Sequence, residues 1–503
     1  MATEAAGGAG AEMVRYGSRR GRLVLLATVL ASGMAFLDAT VVNIALPTIG
    51  DELDASFSQL QWTVNAYALT LAALILIGGS LGDHLGRRRV FVWGVVWFAV
   101  ASLLCAVAPS VEALIAARAV QGVGAALLTP GSLAILEATV HPDDRGSALG
   151  AWSGLAGVST AIGPFLGGWL VDAVSWRLIF IINLPLAAVV LLAARSIPET
   201  SNPEVRGQRL DLAGAALTTL GLAGVTYALT EGDSAGWTDP TVVVLGGLGV
   251  AGLAAFVAVE ARGTHVMVPL DIFRNRLFSA ANAMTFIVYA ALAGALFLLP
   301  IQLQQVAGYT PLQAGSALIP MTIVMLLLST WAGRLAQRIG PRLPMGLGPI
   351  IAAVGLALLT RVGPDASYAA DVLPAVLVFG LGLAITVAPL NVTVLGAAGE
   401  ARAGIASAIN NAVARIAGLL AVAVIPLAAG ISGDDYRVPE AFDEGFQNGI
   451  IICAVACAAG GILALVTIRR PEAPTAEPAP APAHCGISGP PPHVPREARP
   501  VTP

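Results

Sequence analysis

The feature that most constrains this chain is a succession of long apolar runs separated by short charged loops. Fourteen runs lie near the ~20 residues that a helix needs to cross a bilayer. Their limits are 22–46, 60–81, 90–108, 113–137, 146–171, 176–195, 211–230, 240–260, 278–302, 312–333, 343–361, 372–396, 404–429 and 447–468. In hydrocarbon every backbone N–H and C=O must be paired within the protein, which leaves helices or closed barrels. Runs of this length predict helices. Only 12% of the 503 residues are charged, against about 25% in a soluble domain. The expectation is an all-α polytopic membrane protein with fourteen transmembrane helices, embedded in a cell membrane.

The charges alternate in sign from loop to loop. With the N-terminus placed inside, the inner loops collect Arg87, Arg88 and Arg89, then Arg274 and Arg276, then Arg334, Arg338 and Arg342, with others. The outer loops hold only Arg177, Arg361 and Arg437, and are acidic instead, as in Asp51, Glu52 and Asp54. This is the positive-inside pattern. It predicts both termini on the cytoplasmic side of a bacterial cell membrane. Residues 1–21 read as a cytoplasmic N-terminus. Residues 469–503 read as a Pro-rich, disordered cytoplasmic tail.

Several function classes drop out. All 27 basic residues are Arg. A P-loop needs Lys in GxxxxGK[ST], so ATP hydrolysis is not expected, nor is a lysine Schiff base. There is no HExxH, and all five histidines fall in inner loops or the tail. GAWSG lacks the GxSxG spacing. No metal cluster is visible, no cofactor is required, and an enzyme is not expected. The charges are scattered over short loops, so no nucleic-acid partner is expected. Cys105, Cys453 and Cys457 fall in apolar runs and read as small packing residues.

The chain also repeats itself. GGSLGDHLGRRRV, between spans two and three, aligns without a gap on AGRLAQRIGPRLP, between spans ten and eleven. Gly79 meets Gly333, Asp83 meets Gln337, Gly86 meets Gly340 and Arg88 meets Arg342. Two six-helix bundles in parallel repeat follow, residues 22–195 and 278–468, with a linker at 196–277 carrying two extra spans. Such repeats build many secondary transporters, with the substrate site between the halves.

Asp38, in LDATVVNIALP, is the one acid placed well inside a span. By helix rise it lies about 12 Å from the outer end of span one at Leu46, and Arg118 about 8 Å below the outer surface in span four. Neither faces lipid cheaply, so both are expected to point into the bundle. An intramembrane acid reads as functional by default, either loading a proton or reading a cationic substrate. A permanent structural ion pair is the competing reading. Arg415, with Asn410 and Asn411 beside it, forms a second polar patch in span thirteen. Trp62, Asn65 and Tyr67 in span two, Gln121 in span four, and Gln302, Gln304 and Gln305 in span nine are substrate-path candidates. A carrier with one deep carboxylate suits neutral, anionic or monovalent-cation substrates, so weak transport of divalent cationic drugs is expected. Robust proton-driven efflux of a dication at the monovalent rate overturns this.

GSLGDHLGRRR resembles the cytoplasmic loop motif of the major facilitator superfamily. LDATVVNIALP, RAVQGVGAALLTP, GVSTAIGPFLGGWL and SWRLIFIINLP, in that order, are similar to its fourteen-span drug:proton antiporter branch of EmrB/QacA type. The resemblance covers about residues 20–470. It implies the major facilitator fold, a monomer in the bilayer, and proton-coupled efflux of small amphipathic drugs by rocker-type alternating access. Asp38 and Arg118 would be the proton-coupling residues. Gly79, Asp83, Gly86, Arg87 and Arg88 would form a conformational latch; by helix geometry Asp83 can pair with Arg87 one turn on or face a neighbouring helix N-terminus. His84 stands where the family usually has a basic residue. Gly163, Pro164, Gly167 and Gly168 would form the antiporter helix. A dedicated exporter of one endogenous metabolite and a proton-symport nutrient importer remain the alternatives.

Overall fold

The computed structural model describes residues 13–201, 210–263, 266–399, 402–433 and 435–468, and all of these belong to one compact unit. The expected Pro-rich tail, residues 1–12 and part of the linker lie outside the described residues. The described chain is helical apart from one isolated bridge, in which Val14 pairs with Val140.

In chain order the helices are α1 (Arg19–Leu53), α2 (Phe57–Leu85), α3 (Arg87–Ala106), α4 (Val111–Thr139), α5 (Pro142–Ala173), α6 (Leu178–Ile181), α7 (Asn183–Ala194), α8 (Leu212–Ala235) and α9 (Pro240–Arg262). They continue with α10 (Arg276–Ile301), α11 (Pro311–Ala317), α12 (Ile319–Ile339), α13 (Arg342–Leu358), α14 (Leu373–Ala398), α15 (Ala403–Ala429) and α16 (Pro439–Thr467). Twelve helical segments among the described residues are long and apolar enough to cross a membrane. That is two fewer than the fourteen expected, and the two runs not counted are the fifth and the sixth. The sixth run is broken at Ile182 into α6 and the 12-residue α7, too short as a continuous helix. The fifth run forms the 32-residue α5, which is long enough but rich in Gly, Ser and Thr.

Helix ends overshoot the apolar runs because caps, not hydropathy, terminate helices. Ser56 starts α2 through a capping box with Gln59, a reciprocal pair that satisfies two orphan donors. α1 runs through Pro47 to a left-handed Asp54 at φ 49°. Asp38 therefore sits near the middle of the 35-residue α1.

α2 and α3 pack on α4, and α1 packs on α5, α7 and α4. Further along, α13 packs on α14 and α16, and α10 on α15 and α16. The sequence repeat has a structural counterpart. Gly86 and Gly340 each end a helix at positive φ, 107° and 86°. A Cβ built on Gly86 comes within 2.5 Å of the Glu199 Oε1. Gly86→Ala is expected to cost about 1–3 kcal/mol, the usual range for a residue forced into such a backbone region. Thermal unfolding of the purified variant checks this, and an unchanged midpoint counts against it.

The two sets of helices meet most closely at α5. Gly163 and Gly167 lie against Thr40 and Val41 of α1, while a Cβ on Gly168 comes within 2.3 Å of the Pro311 carbonyl oxygen in α11. Reciprocally, a Cβ on Gly315 comes within 2.1 Å of the Pro164 carbonyl oxygen. Small residues allow this approach, as expected where packing rather than hydrophobicity holds helices together.

At the end bearing the acidic loops, residues far apart in sequence close on one another. The Arg437 Nη2 donates to the Asp54 Oδ1 at 2.8 Å, and the Tyr436 hydroxyl to the Ala55 carbonyl at 2.5 Å. The Tyr436 hydroxyl and Asp54 hold the Arg437 guanidinium above its ordinary range. Phe57 packs on Phe297, Tyr436 and Phe442. The Gln304 and Gln61 amides donate to the carbonyls of Ile44 and Val422.

Candidate substrate and proton site

The centre of the first helices holds a buried polar cluster built from five helices. Asp38 comes from α1, Arg118 and Gln121 from one face of α4, Ser102 and Cys105 from α3, Asn183 from the start of α7, and Tyr67 from α2. Residues three apart share a helix face, which is why Arg118 and Gln121 reach the same carboxylate. Asp38 and Arg118 are each 1% exposed, and Gln121, Ser102 and Asn183 are 0% exposed.

The Arg118 Nη1 donates to the Asp38 Oδ2, and also to the Gln121 Oε1 at 2.6 Å. The Arg118 Nε donates to the Thr63 carbonyl at 3.1 Å. The guanidinium lies 4.4 Å from the Tyr67 ring centroid and 5.7 Å from that of Phe180. The other carboxylate oxygen, Asp38 Oδ1, accepts from the Gln121 Nε2 at 2.8 Å and from the Asn183 Nδ2 at 3.4 Å. Ser102 Oγ accepts from both amides, at 2.9 Å and 3.3 Å. A buried ion pair is tolerable only when its remaining lone pairs and protons are satisfied. Here both carboxylate oxygens and the Nε and Nη1 of the guanidinium are bonded, although the Asn183 Oδ1 has no partner among the described residues.

Asp38, Arg118, Gln121 and Tyr67 were all legible as candidates, and the structure brings them together. Ser102, Asn183 and Phe180 were not singled out. The signal for Ser102 was a hydroxyl in the otherwise apolar ASLLC of span three. For Asn183 it was the amide in IINLP.

The other candidates fall elsewhere. Trp62 turns toward α8, where its Nε1 donates to the Glu231 Oε1 at 2.9 Å and its ring lies 6.3 Å from Tyr227. The Asn410 Nδ2 donates to Asn282 Oδ1 and Thr285 Oγ1 of α10, at 3.1 and 2.8 Å. Gln302 bonds the Val362 carbonyl and Asp443. Asn411 is exposed, and Arg415 stands 5.5 Å from the Phe36 ring of α1.

Asn65 is fully buried, and neither amide atom has a partner among the described residues. An unsatisfied buried amide costs about 1–3 kcal/mol. Asn65→Leu is therefore expected to raise the thermal midpoint of the purified protein. A lowered midpoint would mean that the amide has a partner in the dominant state.

The loop between α2 and α3 carries the expected pair. The Arg87 Nη2 lies 2.8 Å from the Asp83 Oδ1, and the Arg87 Nη1 reaches the Ala134 carbonyl at 3.4 Å. The Arg88 backbone N–H donates to the Glu199 Oε1 at 3.1 Å, placing a carboxylate at the N-terminus of α3, where the helix dipole favours it. Gly79 rests beside Pro130 of α4. The His84 Nδ1 donates to the Ser80 carbonyl at 2.8 Å, and so bonds its own helix.

A bundle of membrane-length helices, with a charge pair buried among them and close glycine-mediated contacts between its helix sets, is the architecture of a polytopic membrane protein. The profile of the Major Facilitator Superfamily matches residues 28–422, and the chain belongs to that family. It is a transporter and not an enzyme. It is 36% identical over 478 residues to the methylenomycin A resistance protein of Streptomyces coelicolor, covering 94% of this chain and 98% of that one. It is 33% identical over 402 residues to the tetracenomycin C resistance and export protein of Streptomyces glaucescens, covering 80% and 74%. Among solved structures it resembles an inward-facing, unoccupied bacterial homologue of the human lysosomal transporter Spinster. That match has a TM-score of 0.62 at 18% identity and covers 90% of this chain and 98% of that one.

Proposed function

We propose that this chain exports small amphipathic drugs or antibiotics in exchange for protons, as a member of the fourteen-span EmrB/QacA-type branch. The observation that carries the reading is the Asp38–Arg118–Gln121 cluster, a carboxylate held at mid-depth between helices that must move past one another. Asp38 takes up the proton, and Arg118 and Gln121 release or recapture the carboxylate as the helices shift. The fourteen spans are the twelve membrane-length segments, α5, and α6 with α7 taken together across Ile182.

The halves 22–195 and 278–468 rock about a central cavity. The contacts of Arg437, Tyr436 and Gln304 close the outer end in the conformation described above. Asp83, Arg87 and Glu199 clasp the inner end of the first half through Gly86, and Gly163, Gly167 and Gly168 let α5 slide between α1 and α11. Both termini face the cytoplasm of a bacterial cell, and the carrier works as a monomer in the bilayer.

The test is transport in proteoliposomes. Efflux of an antibiotic is expected to accelerate under an imposed pH gradient and to lose that acceleration with a protonophore. Transport that is indifferent to the gradient overturns the coupling. A second reading is a dedicated exporter of one metabolite. Its support is that the two relatives above are each named for a single antibiotic. Growth-inhibition profiles of a deletion strain across unrelated drugs separate it from broad efflux.

A further inference from the structure

We propose that the central cavity selects amphipathic monoanions, and that Arg415 is the residue that selects them. The inference rests on the carrier reading above and adds a substrate class to it. Among the described residues, three charged side chains lie well inside membrane-length helices: Asp38, Arg118 and Arg415. The acid is already occupied. Both its oxygens accept hydrogen bonds, from Arg118 on one side and from Gln121 and Asn183 on the other. It offers nothing to a cationic drug unless that ion pair is first broken. The charge left over is positive.

Arg415 is half-buried in the middle of α15, one turn from the exposed Asn411 on the same face. Its guanidinium lies over Phe36 of α1. α1 is packed by α4, α5, α7 and α10, so Arg415 points into the bundle and not toward lipid. It is also within electrostatic range of the Tyr67 and Tyr289 phenols. Among the described residues Arg415 has no carboxylate within ion-pair distance and no hydrogen-bond acceptor. Its N–H donors are therefore left without a bonded acceptor among the described residues, beside an aromatic ring. A guanidinium in a dry site recognises a carboxylate or sulfonate bidentately. The aromatic ring accepts an apolar or aromatic body attached to it. Asn411 supplies a further donor and acceptor at the rim.

One electrical consequence follows. Anion out for proton in moves charge the same way twice, so an interior-negative potential speeds it. One-for-one exchange of a monocation for a proton is electrically silent.

The test uses one fluorophore in three charge states: dansylglycine (anion), dansylglycinamide (neutral) and a dansylamidoethyl-trimethylammonium salt (cation). Binding to the purified full chain is measured by fluorescence. Dansylglycine is expected to bind at least roughly 10-fold tighter than the other two, since a charge-assisted bidentate contact supplies that much. Arg415→Gln is expected to erase the preference, and Arg415→Lys to keep part of it. The proposal is overturned if the cation binds as well as the anion, if the preference survives Arg415→Gln, or if none of the three binds. Should Arg415→Gln fail to fold, the wild-type series and Arg415→Lys still decide. Gradient-driven antibiotic efflux by the same preparation is read separately. Efflux without anion preference defeats this proposal alone, whereas absent efflux defeats the carrier reading beneath it.

Discussion

Asp38→Asn is expected to lower gradient-driven transport by roughly 100-fold or more, the scale that proton-transferring side chains commonly carry, while counterflow exchange of substrate persists. The amide keeps the shape of the carboxyl group and can still accept from Gln121 and Asn183 at one atom. It cannot take up and release a proton at working pH. A carrier deprived of its coupling site still cycles with substrate bound on both sides, which is why exchange separates loss of coupling from loss of fold. Unchanged gradient-driven transport would demote Asp38 to a structural partner of Arg118 and place the coupling group elsewhere.

The second large effect is on stability. Arg118→Met is expected to destabilise the purified protein by about 3–5 kcal/mol, because it leaves a buried carboxylate without its counter-ion. The cost comes from the stranded charge more than from the lost bond. The double variant Arg118→Met with Asp38→Leu is therefore expected to recover most of it, since replacing a whole buried pair by apolar groups is often neutral. Thermal unfolding of the four proteins in one detergent forms the cycle. A double variant as unstable as Arg118→Met alone would mean that Arg118 works mainly through Thr63, Tyr67 and Gln121. Gradient-driven transport should be absent in both Arg118 variants whatever their stability, because the single variant cannot return the carboxylate to its paired state and the double variant has no carboxylate to load.

Membrane folds are unusually legible in some respects. The apolar runs dictated helices because hydrocarbon leaves the backbone no other partner. The Gly86 and Gly340 turns were visible as a repeat because positive φ restricts the residue type. The Asp83–Arg87 pair was visible because i,i+4 spacing on a helix is local geometry. Asp38 and Arg118 stood out because charge at membrane depth is costly, and that cost left few places for the side chains to go.

What local pattern could not supply was partnership across helices. Trp62 and Gln121 looked alike as polar groups in apolar spans, yet one anchors α8 through Glu231 and the other completes the buried cluster. Asn410 and Arg415 are neighbours in sequence. The first is bonded to α10, while the second is left with an aromatic ring and open donors. Asn183 joined the cluster because a break at Ile182 starts α7 beside Asp38, and no periodicity announces such a break.

The sequence by itself determined the helices, the polarity of their loops, the repeat and the cost of the buried charges, since each depends on local chemistry against lipid. Only the tertiary structure decided which polar groups meet, which carboxylate is already satisfied and which cation is not. Those outcomes depend on the rotation and crossing of packed helices, and that geometry arises from many distant contacts at once.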